Sequence, residues 1–262
     1  MLELDKIHCG DNCDLLGQLP RECIDLVVTS PPYDDLRTYG GHSWDFFGVA
    51  WQLKRVLKPG GVIVWVVADA TKDGSETGSS MEQALHFKRL GLNLHDTMIY
   101  RKLNYTPLTH NRYEQEWEYA FVLSAGKPKV FNPVKIPCRN AGQETWGEPA
   151  YYKTNDGTLT QKGKQVIAES KIKGNIFEYE TGSRFTGGIE HPAMFPQGLA
   201  SDFISTWSNH GDLVLDPFSG SGTTAKAAKE LGRRFLGLEI NPEYCAIAER
   251  RIAQQVLELE AV

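Results

Sequence analysis

The stretch "LVLDPFSGSGTTAKAAKELGRRFLGLE", residues 213–239, decides the fold of this 262-residue chain. Leu213 to Leu215 form a short apolar run that stops at Asp216-Pro217, as a strand does when proline removes the next N–H. Gly220-Ser-Gly222 follows, then "TTAKAAKEL" at helical spacing, then a second apolar run, "RFLGLE". Strand, glycine turn, helix, strand is the unit of a parallel α/β sheet. Glycines at a helix N-terminus let a ligand approach the backbone closely. Glu239, seventeen residues after Gly222, ends the second strand, where a carboxylate can accept hydrogen bonds from a ribose diol. No Lys-Ser/Thr follows the glycines, so this is not a phosphate-binding P-loop. Asp216 beside the turn disfavours phosphate and favours a cationic ligand. Asn241-Pro242 then reads as a cap and first position of a further helix.

A second stretch, "IDLVVTSPPYDDLRTYGG" (24–41), runs a β-branched strand into Ser30-Pro31-Pro32-Tyr33. The two prolines stiffen the corner and bring no N–H to occupy nearby carbonyl oxygens. Stiff acceptors beside an aromatic ring suit a planar group that carries an NH₂; a plain strand cap is the other reading of these four residues. In open α/β sheets ligands sit beyond the carboxyl ends of the strands, so one corner would hold a cationic nucleoside and the other a planar amine.

Ahead of these stretches "KIHCGDN" (6–12) predicts a short strand ending in Gly10-Asp11; between them the pattern predicts an amphipathic helix over 44–61 ended by Pro59-Gly60-Gly61 and a strand at 62–69 buried on both faces. Residues 71–80 have no apolar side chain and read as a mobile loop. A helix from Met81 and two strands, "NLHDTMIYRKL" and "EYAFVLSAG", follow. From Lys127 to Glu190 the periodicity fades, and the segment holds ten Lys/Arg against seven Asp/Glu in a chain of net charge −5. It reads as an insertion for recognition, against the alternative of an ordinary solvated surface. After His191 a short capped helix leads into the glycine-turn unit. The division expected is 1–126, a catalytic half; 127–190, a target-recognition insertion; and 191–262, the cofactor-binding half of the same domain.

Composition sets limits. Hydrophobic residues make up 41% and charged residues 23%, ordinary for a folded globule. No apolar run approaches a membrane span, and "MLELDKIHCGDN" has no export pattern, so a cytoplasmic protein is expected. Five cysteines, with no CxxC pair, read as reduced thiols and not as a disulfide framework or zinc site; no metal is expected.

"TSPPY" together with "DPFSGSGTT" resembles the amino-group DNA methyltransferases, which use S-adenosylmethionine. "GDN" (10–12), "LKPGG" (57–61), "HPAMFP" (191–196) and "GLEINPEY" (237–244) resemble further segments of that family. The catalytic motif precedes the variable segment and the cofactor motif, which resembles the circularly permuted β-group order. The resemblance implies a Rossmann-like methyltransferase fold of α/β class with an inserted target-recognition segment. It implies methylation of the N4 amine of cytosine in duplex DNA by base flipping, because "SPPY" is seen more with cytosine and "DPPY" more with adenine. N6-adenine methylation is the alternative; a DNA-binding protein that retains only the cofactor pocket is a distant one. RNA or glutamine methyltransferases more often carry Asn where Ser30 stands, and a nicotinamide oxidoreductase would leave "SPPY" unexplained.

By the same resemblance Ser30, Pro31, Pro32 and Tyr33 are the catalytic set. Asp11, Thr29, His191, Phe195, Asp216, Phe218, Gly220, Gly222, Thr223, Glu239 and Asn241 surround the cofactor. Core packing is the competing reading for Phe195 and Phe218, and a turn role for Asp11. Double-stranded DNA is the implied partner; a homodimer and a cognate restriction endonuclease are compatible with the family. "IPC" (136–138) imitates the Pro-Cys nucleophile of C5-cytosine enzymes but lies in the irregular insertion and reads as a decoy.

Overall fold

A computed structural model describes residues 2–32, 44–105, 111–145, 151–161, 165–181 and 195–258. The chain opens with β1 (Lys6–Cys9), α1 (Asn12–Gly17), β2 (Ile24–Thr29), α2 (Phe46–Val56) and β3 (Leu57–Val67). A small hairpin of β4 (Thr71–Lys72) and β5 (Ser75–Glu76) precedes α3 (Ser79–Arg89), β6 (Asn93–Lys102) and β7 (Trp117–Ser124). Four short strands, β8 (Lys135–Pro137), β9 (Tyr151–Lys153), β10 (Leu159–Gln161) and β11 (Ser170–Ile172), lead to β12 (Ile176–Tyr179). The remainder is α4 (Gln197–Trp207), β13 (Leu213–Asp216), α5 (Thr223–Glu230), β14 (Arg234–Glu239) and α6 (Pro242–Glu258).

Eight strands form one sheet in the order β1-β14-β13-β2-β3-β7-β6-β12. β1, β14, β13, β2 and β3 are mutually parallel, and β7 runs against both β3 and β6. The sequence explains the burial. Along β3, Ile63, Trp65 and Val67 join the core formed with Leu53 and Val56 of α2 and Phe87 of α3. The alternate residues Val62, Val64 and Val66 are equally buried. Because side chains alternate across a strand, burial of both sets means that helices cover both faces. α1, α2 and α3 pack in sequence on one another, as do α4, α5 and α6.

Pro133–Gly174 form a separate compact unit, built of two antiparallel pairs, β8 with β11 and β9 with β10. Cys138 of "IPC" belongs to it, where its N–H donates to the Glu169 carbonyl at 2.9 Å. The rest of the chain forms the other unit, and Ile176–Tyr179 belong to its sheet as β12.

Three local expectations change. The helix over 44–61 stops at Val56, and Leu57 already pairs with Ile24, so "LKPGG" opens the strand. Gly60, at φ +78°, turns this stretch and exchanges backbone bonds with Ala125 and Lys129. Residues 71–80 are not one open loop: Asp73-Gly74 closes the β4–β5 hairpin. Ser79 and Ser80 begin α3, and Asp69 accepts from the Ser80 N–H at 2.8 Å. The helix after His191 has Pro196 at its N-cap, with no side-chain cap bond.

Candidate functional site

β2 and β13 lie side by side, with Val214 opposite Leu26 and Leu215 opposite Val27. Their carboxyl ends therefore emerge together, although the sequence between them is long. Two hydrogen bonds tie the ends. Thr29 Oγ1 donates to Asp216 Oδ1 at 2.6 Å, and Thr224 Oγ1, in the first turn of α5, donates to the Val28 carbonyl at 3.2 Å. The Ser30-Pro31-Pro32 corner and the turn from Pro217 to Gly222 leave the sheet from this common edge. Pro31 is buried, and Ser30 and Pro32 are half-buried. Tyr33 and His191 lie outside the described residues.

Asp216 is buried beneath the turn. Besides Thr29, the Phe218 N–H donates to its Oδ1 at 3.1 Å. Burial pushes its carboxyl up to about 6; bonds from Thr29 and the Phe218 N–H oppose that rise, and the Glu239 charge adds to it. Its role here is to fasten the two corners together.

Glu239 ends β14, where β1 lies alongside and Cys9 stands opposite. Its Oε2 accepts from the Gly220 N–H and its Oε1 from the Asn241 N–H, both at 2.8 Å. A carboxylate offers about four lone-pair directions, so these bonds orient it without exhausting its acceptor capacity. Asn241 in turn caps α6, accepting from the Glu243 N–H at 2.9 Å. Gly220 and Gly222 both have left-handed backbones, at φ +50° and +80°. At Gly222 a Cβ would also stand 2.8 Å from the Cβ of Ala248 on α6, so the turn and that helix meet at a point that admits no side chain.

Phe218 is half-buried, its ring 4.8 Å from Trp44 in an edge-on contact. Thr223, the first residue of α5, is buried and accepts from Arg251 Nη1 at 3.2 Å. Asp11 caps α1, accepting from the Asp14 N–H at 3.1 Å. Its neighbour Asn12 donates to the Pro217 carbonyl at 3.4 Å, which links the end of β1 to the glycine turn. Phe195 is half-buried ahead of α4, and among the described residues no ring contact or hydrogen bond joins it to the turn.

The site thus collects Thr29, Ser30, Pro31, Pro32, Asp216, Phe218, Gly220, Gly222, Thr223, Glu239 and Asn241 at one edge of the sheet, with Asp11 and Asn12 beside them. Sequence reasoning passed over Trp44, Thr224 and Arg251. Their spacing carries no signal; each acquires its place only when distant segments meet. The set suits a nucleoside: a carboxylate aligned by two backbone N–H groups, a half-buried aromatic, and a turn that carries no side chain at Gly220 or Gly222. Among the described residues no group of three or more His, Cys, Asp or Glu is arranged to hold a metal ion, and no helix is long and apolar enough to cross a membrane.

The comparisons with known proteins agree with this geometry. The profile of the N6/N4 DNA methylase family matches residues 24–250. The orphan methyltransferase M.BamHII of Bacillus amyloliquefaciens is 48% identical over 242 residues, covering 89% of this chain and 90% of its own. The DNA adenine methyltransferase YhdJ of Escherichia coli (strain K12) is 27% identical, over 95% of this chain and 83% of its own. The crystal structure of TTHA0409, a putative DNA modification methylase from Thermus thermophilus complexed with S-adenosyl-L-methionine, superposes with a TM-score of 0.64. It is 25% identical and covers 96% of this chain and 95% of its own.

Proposed function

The chain belongs to the N6/N4 DNA methylase family, and from that premise we propose that it methylates the N4 amine of cytosine in duplex DNA, with S-adenosylmethionine as donor. The observation that carries the reading is the Thr29–Asp216 bond of 2.6 Å, which holds the double-proline corner against the glycine turn.

The exocyclic amine of cytosine is a poor nucleophile, because its lone pair is delocalised into the ring. It also lies inside the duplex, so the base is extruded first, at a cost of a few kcal/mol. Tyr33 stacks on the extruded ring. Ser30 Oγ and the Pro31 carbonyl accept the two amine N–H bonds, drawing the nitrogen toward tetrahedral geometry and fixing the direction of its lone pair. Glu239 takes the ribose hydroxyls, and Phe218, backed by Trp44, lines the adenosine. S-Adenosylmethionine, when bound, supplies the methyl group as an electrophile on sulfonium sulfur. Fixed orientation of amine and donor contributes most of the acceleration. The segment 127–190, with its excess of Lys and Arg, contacts phosphates and reads base edges.

Ser30 in place of an acidic residue favours cytosine. N6-adenine is the second reading, favoured by the likeness to an enzyme named an adenine methyltransferase. Incubation with labelled S-adenosylmethionine and mixed-sequence duplex DNA, followed by nucleoside analysis, tests both. N4-methylcytosine is expected; N6-methyladenine selects the second reading, and unlabelled DNA across varied conditions removes both.

A further inference from the structure

Arg251, on α6, is 8% exposed, and among the described residues no carboxylate pairs with it directly. Glu230 acts on it only through space, and burial pushes its guanidinium below the usual range. Its Nη1 instead donates to the Ser221 carbonyl at 2.7 Å, to Ser221 Oγ at 2.8 Å and to Thr223 Oγ1 at 3.2 Å. A cation beneath the N-terminus of a helix opposes the helix dipole and costs stability by itself. A group that is both buried and unfavourably placed asks for a counter-charge.

The chemistry of the three contacts says where that charge goes. A guanidinium has only donors, so both hydroxyl oxygens are acceptors toward it. Each hydroxyl keeps one proton to donate elsewhere. Ser221 is 3% and Thr223 5% exposed, and no hydrogen bond donated by either hydroxyl is found among the described residues. The N-cap of α5 is Gly222, which brings no side chain to accept the first N–H groups of the helix. Two hydroxyl protons, the first N–H groups of the helix and a buried cation all lie at the head of α5, an arrangement that favours an anionic acceptor there.

We infer that Arg251 is a positioning residue for the carboxylate at the amino-acid end of the cofactor: it fixes Ser221 and Thr223 as hydrogen-bond donors toward that carboxylate and adds its charge to the field of α5. The inference rests on the cofactor reading above and extends it to one ligand group and one residue remote from the sequence motif.

Calorimetric titration with S-adenosylmethionine and with decarboxylated S-adenosylmethionine, which differ only in the carboxylate, tests it without catalysis. Arg251→Met is expected to weaken S-adenosylmethionine by about tenfold or more and the decarboxylated ligand by less than about twofold, with Arg251→Lys restoring part of the difference. Thr223→Val is expected to show the same selective loss and Thr223→Ser to spare binding; this pair carries the test should Arg251→Met not fold. Equal weakening of both ligands, or no weakening of either, overturns the role of Arg251 while leaving the cofactor reading intact. A wild-type protein that binds neither ligand overturns both.

Discussion

The hydroxyl of Thr29 donates to Asp216 Oδ1 at 2.6 Å, joining residues 187 positions apart at the ends of adjacent parallel strands. This contact makes one site of two motifs, and it is open to direct perturbation.

Thr29→Val keeps the shape of the side chain and removes its donor. A buried carboxylate that loses a charge-assisted bond is destabilised by about 1–3 kcal/mol. A urea midpoint lowered to match, together with slower methyl transfer, is the expected result. Unchanged stability would mean that the bond is not formed in solution.

Asp216 titrates in a direction opposite to most carboxylates in folded proteins. Its carboxyl is raised by burial from 3.8 to about 6. Between pH 4 and pH 6 the native state therefore binds more protons than the unfolded state, and stability falls as pH rises through that window. The contribution is largest below the window and is lost above it, by on the order of 2–3 kcal/mol. In Asp216→Asn this fall is expected to disappear. Denaturant titrations of both proteins at several pH values measure it, and parallel pH profiles would refute it.

Glu239→Gln replaces one carboxylate oxygen by an NH₂ that faces a backbone N–H, either that of Gly220 or that of Asn241. Donor against donor displaces the turn and removes an acceptor proposed for the ribose. The expected loss in S-adenosylmethionine affinity is about tenfold or more, read by calorimetry; retained affinity would remove Glu239 from the site.

Gly222→Ala meets two obstacles, a backbone at φ +80° and the Ala248 Cβ at 2.8 Å. Together they cost about 2–4 kcal/mol. Ala248→Gly in the same chain relieves the steric part alone. A double-mutant cycle is expected to give a favourable coupling of about 1 kcal/mol or more, and strict additivity would show that the two helices part to admit the methyl.

Ser30→Ala removes one of the two acceptors proposed for the amine. Turnover is expected to fall by about tenfold to a hundredfold while S-adenosylmethionine affinity is kept. Full turnover would assign the amine to other acceptors.

Much of this architecture is legible in the residues. The runs ending at Thr29, Asp216 and Glu239 are apolar, short and closed by Pro, Gly or Asn, so strand ends and helix starts announce themselves. The boundary at Leu57 does not, because Lys58-Pro59-Gly60-Gly61 has the composition of a turn and becomes strand by pairing with segments far along the chain. β12 is invisible for the same reason: Ile176–Tyr179 has only four residues in an aperiodic stretch, and its place at the sheet edge comes from β6. At the site, Glu239 is found by its spacing from the glycines. Arg251 is not, since one of two adjacent arginines in a charged helical stretch looks like any solvated cation until the helix is docked.

The strand order has a consequence for biosynthesis. β13 and β14 lie between β1 and β2 in the sheet, yet they follow every other strand of that sheet in the chain. A nascent chain on the ribosome thus carries β1 and β2 with a two-strand gap between them, and edges that will later be interior stay uncovered until β13 and β14 emerge. Such long-range closure is slow and exposes hydrophobic edges meanwhile, so a chaperone that holds the emerging chain would raise the yield of native protein.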